Sequence, residues 1–208
     1  MKIKAVVFDF GGVMTTLTMP ERVKALAAEK GIDWDAIVRG FAAHRLRFDS
    51  GELAPAEFYG RVWDDAGLSV DADTTAAFVK ADNESWLYRN GRTLEWMKSL
   101  KSRGFKIGIL TNMPPSFAKD YFRSAFADFI ALSDALVISG EEGVVKPDRR
   151  IYDILRERIG LPAESLLFVD DVEKNVAGAR AAGWEAIRFV SNEQVEADFE
   201  SAVRRLRA

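Results

Sequence analysis

The chain has 208 residues, enough for one full core with a smaller appended unit and too few for two large domains. Its 29 basic and 32 acidic residues leave a net charge of -3, which provides no basic surface for nucleic acid. Without cysteine there are no disulfides, thiol nucleophiles or thiolate metal sites, so a metal would be held by oxygen or by His44, the one histidine. Met1 to Lys4 run directly into an apolar segment, with neither a signal-like nor a membrane-length stretch. The expectation is a cytoplasmic protein that does not enter a membrane.

The first element is a strand at 4–8, apolar after Lys4 and β-branched at its centre, as a strand buried on both faces should be. From 15 to 90 the sequence shows helical patterns and no convincing strand. Ile37, Phe41, His44 and Phe48 form one helical stripe behind a possible N-cap at Asp33, and Gly51 ends that helix. Pro55 suits the first turn of the next, with Phe58, Val62 and Ala66 on one face, and a further helix lies between Asp71 and Tyr88. Beyond Gly91, helices at 92–103, 115–126, 148–160 and 173–182 alternate with strands at 105–111, near 135–139, 166–170 and 184–190. That alternation predicts an α/β fold: a three-layer, Rossmann-like parallel sheet core from 1–14 and 91–208, with a small helical cap, 15–90, inserted after the first strand.

Chemistry-bearing residues fall at the ends of the apolar runs, where an open parallel sheet presents its ligand-binding side chains. Asp9 precedes Phe10, Gly11, Gly12 and Val13, a carboxylate followed by a turn whose amides can face phosphate oxygens. Thr111 and Asn112 close the second strand, and Lys146 stands before Pro147, where a helix can begin near Asp148. Asp170 and Asp171 open a helix containing Asn175; with Asp9 they make a hard-oxygen set suited to Mg²⁺. Each element alone has a structural reading as a cap, a turn or a solvated charge.

In order, these four segments resemble the four motifs of the haloacid dehalogenase-like (HAD) hydrolase superfamily, and the insertion resembles its C1-type helical cap. The resemblance implies that Asp9 attacks phosphorus to form an aspartyl phosphate, with Lys146 and Thr111 as catalytic partners. It also implies metal binding by Asp9, Asp170, Asp171 and the Gly11 carbonyl, and phosphate contacts from the Gly12 amide and Asn112. Gly11 departs from the pattern, because family phosphatases usually carry a second aspartate there as general acid and base. The run from Asp9 to Val13 is similar to the branch containing sugar-1-phosphate phosphatases and the phosphatase domain of epoxide hydrolases. The expected function is therefore a Mg²⁺-dependent phosphomonoesterase acting on a small soluble ester such as a sugar phosphate.

His44 is a candidate substitute for the missing acid and a candidate substrate contact, although its apolar stripe favours packing. Arg45, Arg47, Asp49 and Glu52 are further candidates for reading the substrate, and Trp34, Trp63 and Trp86 read as core. Two alternatives stand. A dehalogenase of the same superfamily would use the aspartate on carbon without metal, and a binding protein would keep the fold without turnover.

Overall fold

The computed structural model describes residues 3–16 and 21–206. Its centre is a five-stranded, wholly parallel sheet in the order β3-β2-β1-β4-β5, made of β1 (Ala5–Phe8), β2 (Lys106–Thr111), β3 (Ala135–Ile138), β4 (Leu166–Asp170) and β5 (Glu185–Arg188). The central strand β1 is buried along its whole length, with Phe8 opposite Ile109 on one side and Val169 on the other.

Strand side chains alternate between two apolar layers. Val6, Phe8, Ile107, Ile109, Leu167 and Val169 face a core built with α5 (Gly91–Ser102), α6 (Pro115–Phe117), α7 (Arg123–Ala125), α8 (Ala127–Leu132) and α12 (Asn192–Arg205). Ala5, Val7, Leu110, Leu166 and Phe168 face α10 (Arg149–Ile159) and α11 (Glu173–Ala181). The short α9 (Ser139–Glu142) follows β3. This is the three-layer α/β arrangement that the sequence predicts.

Two elements differ from expectation. The segment 115–126 is no continuous helix: a π turn, Ala118–Phe122, separates α6 from α7, and the wider turn lets Phe117 stack on Tyr121 with ring centroids 5.6 Å apart. The C-terminal helix α12 lies beyond the last expected element, with Ser191 and Gln194 forming a capping box and Val195, Phe199, Ala202 and Val203 a buried stripe.

Between β1 and α5 lie α1 (Glu21–Glu29), α2 (Trp34–Asp49), α3 (Pro55–Asp65) and α4 (Ala72–Ser85), with a third apolar core of their own. Helix α2 packs tightly on α3, since a β-carbon on Gly40 would lie 2.9 Å from Val62 Cγ1, and the Phe48 and Phe58 rings stack at 4.3 Å. The two chain segments joining this unit to the sheet run side by side: Thr16 N donates to Tyr88 O and Asn90 N to Met14 O, both at 2.8 Å. No helix among the described residues is long and apolar enough to cross a membrane.

Candidate active site

The parallel register brings the carboxyl ends of β1, β2 and β4 to one edge of the sheet. There Lys146 Nζ lies 2.8 Å from Asp9 Oδ1 and 2.6 Å from Asp170 Oδ2, with both acids and the lysine almost wholly enclosed. Asp171, half-buried, joins them, and one oxygen from each of Asp9, Asp170 and Asp171 falls within 4.8 Å of the others. Three hard carboxylate donors so close together fit a small divalent cation such as Mg²⁺.

Each charge has a defined support. Asp170 accepts from Val172 N at 2.8 Å and from Asn175 Nδ2 at 3.1 Å, so its lone pairs are held inside the protein. Asn112 clamps the backbone of Lys146, accepting from its N–H at 2.8 Å and donating to its carbonyl at 3.1 Å. The Phe168 ring lies under the ammonium, 5.2 Å from its centroid. Burial works against the lysine charge, but Asp170 and Asp9 outweigh it and hold the ammonium above the ordinary lysine range. Burial likewise pushes the Asp9 carboxyl up to about 8, against the pull of Lys146 and with a further push from Asp170. Burial and then Asp170 also raise Asp171.

Above this cluster opens a cavity of about 490 Å³. Asp9, Gly11, Asn112, Lys146, Asp171 and Asn175 lie along its core side. Helices α2 and α4 supply the opposite wall, including Trp34, Val38, Phe41, Arg45, Leu46 and Trp86. Arg45 Nε donates to Asp49 Oδ1 at 2.8 Å, while Asp82 accepts from the Tyr59 hydroxyl at 2.9 Å and from Trp86 Nε1 at 3.2 Å. Ser139 on the core donates to the Asp49 carbonyl at 2.6 Å and accepts from Met113 N at 2.8 Å, tying the end of α2 to the sheet edge.

The remaining candidates have partners of their own. His44 lies outside the cavity lining, with Nε2 2.8 Å from Asp65 Oδ2, because its position on α2 faces α3. The Gly12 amide donates to Thr15 Oγ1 at 3.2 Å within its own turn, where Gly12 adopts φ +67, a left-handed conformation that suits glycine. Thr111 is buried beneath the cavity floor, with only a 3.4 Å contact from its hydroxyl to the Asn112 carbonyl. Trp34 and Trp86 line the cavity while packing, partly buried, against the apolar cores, and Trp63 lies buried within the core of the four-helix unit. The sequence signal for that wall was the second face of α2: Trp34, Val38, Ala42, Arg45 and Asp49 recur at helical spacing, offset from Ile37 and Phe48.

Known proteins are similar to this chain in sequence and fold. A sesquiterpene phosphatase of Aspergillus oryzae is 27% identical over 91% of this chain and 91% of its own. A D-ribitol-5-phosphate phosphatase of Bacteroides thetaiotaomicron is 27% identical over 89% and 91%. A HAD family enzyme from the same Bacteroides species, solved with magnesium and inorganic phosphate, superposes with a TM-score of 0.67 at 20% identity, covering 89% of this chain and 93% of that one. The family model of haloacid dehalogenase-like hydrolases matches residues 3–183, and with its motif residues gathered at one sheet edge the chain belongs to that family of hydrolytic enzymes.

Proposed function

We propose that the protein is a Mg²⁺-dependent phosphomonoesterase of a small phosphate ester, with Asp9 as nucleophile and the helical unit at 15–90 acting as its cap. The observation that carries this reading is the Lys146 ammonium held between Asp9 and Asp170 on the floor of the cavity, with Asp171 beside them. A carboxylate approaches a phosphate dianion only where cations offset the repulsion. Lys146 is such a cation, and its charge is fixed before substrate arrives.

In the first step an Asp9 oxygen attacks phosphorus, the P–O bond to the alcohol breaks, and the departing oxygen takes a proton from solvent water as the alcohol leaves. In the second, water adds to phosphorus of the aspartyl phosphate and the acyl-side P–O bond breaks. Inorganic phosphate is released and the Asp9 carboxylate returns. Asp9 and Asp171 face the cavity and, with Asp170 and the Gly11 carbonyl, would hold Mg²⁺. Bound there, the cation supplies a second positive charge for the phosphate oxygens. Asn112 acts by fixing the Lys146 backbone, and Asn175 by fixing Asp170. Gly11 offers no acid to the leaving oxygen, a contribution typically of ~10² to 10⁴ in rate, so good leaving groups should be favoured.

The test is phosphate release from p-nitrophenyl phosphate and a panel of esters, with Mg²⁺ and with chelator, for the wild type and Asp9→Asn. Turnover that needs Mg²⁺ and vanishes in the variant supports the reading. Halide release from 2-chloropropionate without metal would replace it with a dehalogenase, and tight phosphate-ester binding without release would replace it with a binding protein.

A further inference from the structure

Resting on the phosphatase reading, we infer that the alcohol carried by the phosphate is apolar, an alkyl, aryl or prenyl group, and that this cavity is built against sugars and polyols. The relatives do not decide the point, since a sesquiterpene phosphatase and a ribitol phosphate phosphatase are both 27% identical to this chain. The cavity wall does. Beyond the charged floor, Trp34, Val38, Phe41, Leu46, Met113 and Phe117 present carbon to the space where the leaving group must lie.

Five large apolar side chains are exposed among the described residues, and three of them, Val38 (44%), Leu46 (48%) and Val172 (46%), line this one cavity. Scattered exposed apolar residues need no explanation, but their convergence around one concave site marks a surface that an apolar ligand covers.

The polar side chains of the cap wall lead to the same conclusion. A polyol needs several free donors and acceptors, because each hydroxyl buried without a partner weakens binding. Here Arg45 is paired with Asp49 and lies over the rings of Phe48 and Trp86, at 5.8 and 5.5 Å from their centroids. Both Asp82 oxygens are taken, one by Tyr59 and one by Trp86. Asn83 and the Arg45 Nη groups have no such partner among the described residues, so the cap wall offers a ligand few polar contacts beside its carbon.

The experiment compares hexyl phosphate with glycerol 1-phosphate, both esters of unactivated primary alcohols, so that the missing acid slows both alike and the pair differs in the polarity of the tail. We expect kcat/KM for hexyl phosphate to exceed that for glycerol phosphate by at least ~30-fold, in line with burial of a few methylenes. Val38→Asp should narrow the ratio by about tenfold or more, whereas Val190→Asp, on an exposed residue outside the cavity, should leave it unchanged. Equal rates, or a preference for glycerol phosphate, would overturn the inference. Binding of both compounds to Asp9→Asn, followed by fluorescence of the wall tryptophans, separates the two layers of the argument. Selective hexyl phosphate binding with no hydrolysis by the wild type sustains the apolar cavity and rejects the phosphatase; no selectivity in binding or hydrolysis rejects the apolar cavity itself.

Discussion

A β-carbon on Gly11 would lie 3.2 Å from Cζ3 of Trp86, so the ring fills the space that a side chain at Gly11 would need. Trp86 has little freedom to give way, because its Nε1 donates to Asp82 and Arg45 lies over its ring. The missing second carboxylate and the cap tryptophan are thus two sides of one contact. Gly11→Ala should destabilise the protein by about 1–3 kcal/mol, the usual cost of overpacking. Most of that cost should disappear in a Trp86→Leu background, and a double-mutant cycle of urea midpoints measures the coupling. Gly11→Asp alone should fail to raise activity on poor leaving groups; paired with Trp86→Leu it should do better than alone.

Lys146→Met leaves Asp9 and Asp170 as neighbouring buried acids without their shared cation. Removing one partner of a buried pair typically costs about 3–5 kcal/mol, and the enclosure of all three side chains places this variant in that class. Thermal unfolding without metal should show the loss. Phosphate release should fall by at least ~10³, since the charge that lets Asp9 approach a phosphate is gone.

The pH dependence has a definite sign. The native Asp9 carboxyl, at about 8, holds its proton across a range where the unfolded chain has lost it, and Asp49 and Asp171 are shifted in the same direction by burial. The native state therefore binds more protons between about pH 4 and 8, and metal-free stability should fall as pH rises through that window. Mg²⁺ needs the ionised carboxylates, so the rise in Tm on adding it should be larger at pH 8.5 than at pH 6. Calorimetric scans with and without Mg²⁺ check both slopes.

Ser139→Ala removes the hydroxyl that joins Met113 N to the Asp49 carbonyl, leaving two backbone groups without that partner. A stability loss of about 1–3 kcal/mol is expected. Because this hydroxyl ties α2 to the sheet edge, KM should rise more than kcat falls. Ser139→Thr, which keeps the hydroxyl, should restore part of both.

Sequence reasoning worked best where one residue type has few structural alternatives. Apolar runs bounded by Asp9, Thr111 and Asp170 located the three strands at the heart of the sheet, and Lys146 before Pro147 marked the loop whose ammonium reaches both acids. It was weaker where direction mattered. His44 and Arg45 are neighbours in sequence, yet the helix turns one toward Asp65 on α3 and the other toward the cavity, and one apolar stripe did not reveal that α2 has two working faces. Helix α12 carries capping residues and a buried stripe, but it follows the last strand, where no further strand calls for a crossover helix. Trp34 and Trp86 do pack against the apolar cores, but they also wall the cavity, and their partners across it come from distant segments that only the fold brings near.

The two faces of α2 divide responsibilities within a single helix. Gly40, pressed against Val62, and Ile37 and Phe48 hold the helical unit together, while Val38, Ala42 and Leu46 lie outside its apolar core and line the cavity. Substitutions at those outward positions can reshape the space for the leaving group without disturbing either the cap interior or the carboxylate cluster on the sheet. Substrate range in this protein can therefore drift one side chain at a time, on a surface whose failure costs selectivity and spares the fold.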